Sequence, residues 1–228
     1  MKQDVPYLNL TESPELEIFP PTPKFVELRQ ICDGWIKKYE VECERADGSR
    51  FFFDSASRKT PEKYREFLLG TNEDKNASAD AVCIIPQLPN GNLLLNQEFR
   101  YPLNAWCVAF PAGIIENGED YYTSANRELR EEIGCEIRTD IPRNEAFKTL
   151  SAPSFTGPGF TDETNMLCFC QVQYKGKQDL DENEIIRPVV LEIPKIEKFF
   201  RMNKLIIGAR THLVLKDFMD ADNATTRQ

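Results

Sequence analysis

The stretch from Gly113 to Cys135 constrains this chain more than any other. Gly113, Glu119, Arg127, Glu128, Leu129, Glu131, Glu132, Gly134 and Cys135 follow the spacing G-x5-E-x7-R-E-U-x-E-E-x-G-U, where U is apolar. Seven specified residues in one register coincide by chance in a chain this long on the order of once in a million trials. Asp120 is placed to cap a helix over Tyr121–Ile133, and Gly134 to end it in a left-handed conformation. Glu128, Glu131 and Glu132 then stand at i, i+3 and i+4, so three carboxylates share a face. Tyr122, Ala125, Leu129 and Ile133 make the neighbouring apolar face. Like charges at such spacings cost a helix about 0.2–0.5 kcal/mol per pair. A divalent cation reverses that sign, and hard carboxylate oxygens suit Mg2+ or Mn2+.

Around this helix the pattern is that of an α/β chain. Residues 1–24, rich in Pro and acidic side chains, read as a flexible tail. Residues 25–78 form an arm: Trp35–Cys43 alternates, Ala46-Asp47-Gly48 turns, and Arg50–Asp54 returns as the second half of a β-hairpin. Tyr64–Leu69 reads as a short helix, and Gly70–Asp80 as a polar loop. Residues 79–222 hold the main domain. There Ala81–Leu88 and Asn92–Arg100 flank the hairpin signal Pro89-Asn90-Gly91. Further strands are expected at Trp106–Phe110, Glu145–Leu150, Asn165–Tyr174 and Ile185–Ile193, and helices at Pro194–Met202 and Leu205–Met219. Helices on both sides of a mixed β-sheet make an α/β/α sandwich.

Composition narrows the chemistry. Apolar content of 41% with 15 phenylalanines supplies a core for one domain with an extension. A net charge of −9 argues against nucleic-acid polymers as partners. It also means that a small phosphorylated substrate needs local arginines and a metal. No run approaches a membrane span and the first residues carry no export pattern, so the chain is expected in the cytoplasm. Seven cysteines without a C-x-x-C pair read as reduced, mostly buried thiols. The lone histidine, His212, excludes multi-histidine metal sites and reads as a structural or surface residue.

The spaced glycines and glutamates identify the chain as resembling the Nudix hydrolases. Two further stretches are similar to the ADP-ribose (ADP-sugar) pyrophosphatases of that family. Glu98-Phe99-Arg100-Tyr101-Pro102 with Phe110-Pro111-Ala112-Gly113 resembles their Q-F-R-x-P … E-F-P-A-G pattern. Gly157-Pro158-Gly159-Phe160-Thr161-Asp162-Glu163 resembles their S-P-G-x-S/T-x-E loop, with Pro153 and Pro158 competing for its proline. The resemblance implies the Nudix fold, with an N-terminal β-hairpin arm used for dimerisation.

It also implies a reaction and roles for residues. A nucleoside diphosphate sugar, ADP-ribose first, is split by water into AMP and ribose 5-phosphate with Mg2+ or Mn2+. Ala112 (through its carbonyl), Glu128, Glu131 and Glu132 are the implied metal ligands, supported by Glu119 and Arg127. Arg100 and Arg58 face the diphosphate, Trp35 and Phe53 stack on adenine, and Pro158 and Gly159 shape the substrate loop. Glu184 is the implied general base, with Glu182 and Glu163 as alternatives. A homodimer with shared sites follows from the arm. The rival readings are another nucleotide sugar (GDP-mannose, ADP-glucose or a UDP-sugar) and a Nudix-fold nucleotide sensor without catalysis.

Overall fold

The computed structural model describes residues 22–226, so the tail expected at 1–24 lies, but for its last three residues, outside them. The chain divides into two compact units. One comprises the residues up to Lys75 together with Gly157–Asp162, and the other Asn76–Thr156 with Glu163 onward.

The first unit is built on an antiparallel sheet of β1 (Lys24–Cys32), β2 (Lys37–Glu44) and β3 (Arg50–Ser57). Leu28 pairs with Val41, and Tyr39 with Ser55. The expected hairpin is thus a three-stranded sheet, and its middle strand begins at Lys37 rather than Trp35. The reason is local. Asp33 accepts the Gly34 amide at 3.0 Å and Lys37 Nζ donates to the Gly34 carbonyl at 3.1 Å, which turns the chain where alternation alone suggests a strand. Trp35 therefore lies in a turn with 73% of its surface exposed. Helix α1 (Pro61–Leu69) is capped by Thr60, and its Tyr64 completes a small core with Leu28, Tyr39 and Val41. The polar stretch after it contains one more short helix, α2 (Asn72–Asn76). In the same unit the Ala56 amide donates to the Phe160 carbonyl at 2.8 Å.

The second unit is organised by β4 (Ala81–Gln87), whose run AVCIIP is wholly buried. Alternation sends its side chains into two layers. Val82 and Ile84 join a cluster with Ala125, Leu129 and Ile133 of α3 (Tyr121–Ile133). Cys83 and Ile85 join a cluster with Ile196 of α5 (Ile196–Met202) and Leu215 of α6 (Ala209–Thr226). A strand covered on both faces reads as a continuous apolar run, and this one does.

Neighbouring strands complete a mixed sheet. β5 (Leu93–Arg100) runs antiparallel to β4 and to β6 (Ala105–Ala109), and β7 (Ala112–Ile114) antiparallel to β4. β8 (Cys135–Ile137) follows α3. A helical turn, α4 (Arg143–Ala146), then leads into β9 (Phe147–Thr149) and β10 (Ser154–Phe155). The long β11 (Thr164–Tyr174) lies parallel to β4, and β12 (Ile186–Leu191) antiparallel to β5. The two-residue β13 (Ile206–Ile207) is parallel to β6. With α3 on one face and α5 and α6 on the other, this is the α/β/α sandwich expected from the pattern.

In this unit too, elements differ from the sequence reading. The strand expected from Glu145 begins at Phe147, because Pro142 opens the α4 turn ahead of it. The last helix begins at Ala209 rather than Leu205, because Ile206 and Ile207 pair with Cys107 and Val108. His212 stacks on Phe200 with ring centroids 4.5 Å apart. Cys83, Cys107, Cys135, Cys168 and Cys170 are buried thiols, and burial pushes the Cys168 thiol up to about 12. Among the described residues no helix is long and apolar enough to cross a membrane.

Candidate active site

The helix that carries the acids is set by its two ends. Asp120 accepts the Thr123 amide at 2.7 Å, and Gly134 takes φ 65° just past the last turn. No side chain fits Gly134 without strain, since a Cβ there would stand 2.1 Å from the Gly176 carbonyl oxygen. The chain beyond β11 is fastened to this helix end. Lys175 and Gly176 donate to the Gly134 carbonyl, Asp179 to that of Glu131, and the Gln178 side chain to that of Glu132. These bonds satisfy carbonyls that a helix C-terminus otherwise leaves open.

Arg127 is the hub of the acidic face. Its Nε and Nη2 donate to the two Glu119 oxygens at 3.1 Å each, and Nη2 also reaches the Ile114 carbonyl at 2.8 Å. Its Nη1 donates to Glu128 Oε1 at 2.7 Å and to Glu131 Oε2 at 3.0 Å. Glu119 further accepts from Ser124 Oγ at 2.6 Å. The Arg127 guanidinium, with Ser124 assisting, holds the Glu119 carboxyl down at about 2. Glu119 therefore stays ionised down to about pH 2 and with Arg127 braces the neighbouring carboxylates.

Glu128 and Glu132 are buried and Glu131 is half-exposed, so the three acids of the helix face do not share one environment. Burial raises the Glu128 carboxyl against the opposing pull of Arg127. Burial raises Glu132 well above the ordinary range, and the Glu128 charge adds to it. The fully buried Asn96 donates Nδ2 to Glu132 Oε2 at 2.7 Å, and the Ala112 amide reaches the same oxygen at 3.3 Å. Glu98, also buried, is raised by burial and held back by Arg100, whose Nε lies 2.8 Å from its carboxylate. Gly113 makes room for this packing: a Cβ there would stand 1.7 Å from Glu128 Oε1.

Whether these residues suit a divalent cation is a question of donor chemistry. Glu128, Glu132 and Glu98 are hard-oxygen donors, the charges of Glu128 and Glu98 raise the proton affinity of Glu132, and the Asn96 Oδ1 atom beside them is buried without a donor. Such a surplus of acceptor oxygens fits Mg2+ or Mn2+. Among the described residues no three acidic, cysteine or histidine side chains are drawn together tightly enough to hold an ion. Arg127 takes one oxygen each from Glu128 and Glu131.

The remaining expected residues fall as follows. Ala112 presents its amide to Glu132. Arg100 is half-exposed beside Glu98. Glu184 is exposed and accepts the Asp181 amide at 3.1 Å, within electrostatic reach of Glu128, Glu132 and Glu98. Glu182 is exposed and Glu163 half-buried. Trp35, Phe53, Arg58, Pro158 and Gly159 belong to the other unit, where Trp35 and Phe53 are exposed. Sequence reasoning missed Asn96 and Gln178. For Asn96 a signal existed: it is a polar residue breaking the buried run Leu93-Leu94-Leu95.

The site is thus an acid-bearing helix, braced by arginine, on one face of a mixed sheet. The NUDIX domain model matches residues 77–207, and the chain belongs to that family. The ADP-ribose pyrophosphatase of Saccharomyces cerevisiae is 28% identical over 77% of this chain and 74% of its own length. The ADP-ribose pyrophosphatase of Bacillus subtilis is 31% identical over 50% of this chain and 57% of its own. A solved structure described as an ADP compounds hydrolase superposes with a TM-score of 0.63 at 19% identity, covering 90% of this chain and 95% of that one. At that identity the likeness speaks for the fold.

Proposed function

We propose that this Nudix hydrolase cleaves the diphosphate of a nucleoside diphosphate sugar, with ADP-ribose as the favoured substrate and AMP and ribose 5-phosphate as products. The observation that carries the reading is the pair of buried glutamates, Glu128 and Glu132, kept close in spite of their mutual repulsion. A helix gains nothing in stability from such a pair. The S. cerevisiae and B. subtilis relatives, named as ADP-ribose pyrophosphatases, support the choice of substrate.

Nudix hydrolases generally use divalent metals, and Glu128, Glu131 and Glu132 with the Ala112 backbone would hold Mg2+ or Mn2+ here. The bound ion supplies charge neutralisation at the phosphates and lowers the pKa of water. Arg127 and Glu119 fix the glutamate rotamers, Asn96 and the Ala112 amide orient Glu132, and Arg100 offers a planar guanidinium to the diphosphate. Glu184, on a short turn near the acids, takes the proton from the attacking water.

The arm, residues 25–78, joins two copies. Support comes from Trp35, Ile36, Phe52 and Phe53, large apolar side chains that are all more than half exposed although the arm has its own small core. In such a dimer Trp35 and Phe53 of one copy stack on adenine at the other copy's glutamates, with Arg58, Pro158 and Gly159 closing the site. Coupled phosphate release across ADP-ribose, ADP-glucose, GDP-mannose and a UDP-sugar, each with Mg2+ and with Mn2+, tests the chemistry. No turnover of any of them refutes the hydrolase, and better turnover of GDP-mannose refutes the substrate. Light scattering at low micromolar concentration tests the dimer, which a mass near 26 kDa with full activity excludes.

A further inference from the structure

We propose that Arg210 and Asn165, at the start of α6, form a clamp for a phosphoryl oxygen of the substrate. They line a cavity of about 720 Å³ in the unit that carries the glutamates, together with Glu98, Arg100, Gly208 and Thr211. The proposal rests on the hydrolase reading for the identity of the anion.

Three observations on one spot carry it. First, α6 is 18 residues long, and the residue before it, Gly208, has no side chain to cap the opening amides. Its first intrahelical bond runs from the His212 amide to the Gly208 carbonyl, so the amides of the first turn point out of the helix end, where its dipole favours an anion. Second, Asn165 is only 3% exposed. Its Oδ1 accepts from Arg210 Nη1, and its Nδ2 has no acceptor. Third, Arg210 Nε is likewise buried without an acceptor, and among the described residues no carboxylate stands within ion-pair distance of this guanidinium. The guanidinium also reaches the Cys83 sulfur as a hydrogen-bond partner, but sulfur is a weak acceptor and carries no balancing charge as a thiol.

Charge decides what the missing partner is. Of the two arginines on the cavity, Arg100 is neutralised by Glu98 at 2.8 Å, whereas Arg210 is not paired. A half-buried cation flanked by orphaned N–H donors and a helix N-terminus asks for an oxyanion rather than a neutral hydroxyl. A strut that merely tied α6 to β11 would be satisfied by its own partners; this one leaves two buried donors over. Glu98 lies within electrostatic reach of both Glu132 and Arg210, which puts the clamp beside the acids proposed to act on the diphosphate. The clamp thus grips the substrate, and breaks no bond itself.

The test is binding by the full chain in excess chelator, where no metal-dependent turnover intervenes. Calorimetry with ADP-ribose and with inorganic pyrophosphate should show Arg210→Gln weakening both by tenfold or more, with Arg210→Lys falling between it and the unmodified chain. In the unmodified protein the 15Nε–H resonance of Arg210, assigned by through-bond correlation to its own backbone, should move on saturation with ADP-ribose; this reading does not depend on any variant folding. A stationary resonance overturns the clamp, as does a dissociation constant within twofold of the original in a folded variant. Failure of the unmodified chain to bind either ligand overturns it too. The substrate panel above separates the two claims. Binding with a moving Arg210 signal but no hydrolysis sinks the enzyme and leaves the clamp, whereas hydrolysis with a static signal does the opposite.

Discussion

Gly113→Ala is the most direct probe of how the glutamates are seated. Gly113 pairs with Val82 across β4 and β7, and its backbone conformation is one alanine can adopt. The added methyl carbon would stand 1.7 Å from Glu128 Oε1, 1.9 Å from the carboxyl carbon and 2.3 Å from Oε2. An ordinary carbon–oxygen contact is about 3.3 Å, so the carboxylate must retreat by roughly 1.5 Å. It cannot do so and keep the 2.7 Å bond to Arg127. Because a flexible side chain rather than backbone yields, the fold survives at a cost of about 1–3 kcal/mol. Displacing a catalytic group by an ångström or more costs about a hundredfold in rate, and that is the expected fall in kcat. Mg2+-dependent hydrolysis of ADP-ribose and a thermal melt on the same sample give both numbers. A folded Gly113→Ala enzyme with kcat within threefold of the original would refute the claim that Glu128 works from this position.

Three further outcomes follow from the same geometry. Glu132→Gln, which removes an ionisable carboxyl and keeps the shape, should lower kcat by about a hundredfold or more while the melt stays unchanged or rises; near-normal turnover would remove Glu132 from the mechanism. Gly134→Ala should destabilise by at least about 1–3 kcal/mol in a urea titration, since it combines strain at positive φ with a contact to fixed backbone at Gly176; an unchanged midpoint would contradict the reading of the helix stop. The Glu119 carboxyl is held below its unfolded value, so its stabilisation is complete above about pH 4.5 and lost as pH falls through about 2. Glu119→Gln should therefore be less stable than the original at pH 7, with the gap closing by pH 2, and a gap independent of pH would show that Glu119 acts by shape alone.

The sequence disclosed what local chemistry controls. Both ends of α3 were readable, because an Asp120 cap and a left-handed Gly134 act within a turn of themselves. The two-sided burial of β4 was readable as an unbroken apolar run. Long-range pairing hid the rest. Ile206 and Ile207 look like the start of a helix until β6 claims them, and the turn made by Asp33 and Gly34 outweighs the alternation that begins at Trp35. Within the site the glutamates were plain from their spacing. Their unequal burial was not, since it depends on Asn96 arriving from β5. The two orphaned donors at Arg210 and Asn165 exist only because α6 and β11 meet.

The bonds that fasten residues 175–179 to the end of α3 bear on the timing of the reaction. The Asp179 amide is pinned to Glu131 and Ile186 is paired with Glu98, so the stretch that carries Glu184 is tethered at both ends. A tether spanning only residues 180–185 rearranges in nanoseconds to microseconds. Turnover at the usual enzyme pace of about 10 per second is slower by several orders of magnitude. Any swing of Glu184 toward the attacking water is then a pre-equilibrium completed many times per catalytic cycle. On the reaction proposed above, added viscogen should leave that step invisible in kcat, and the slow event has to be sought in bond cleavage or in product departure.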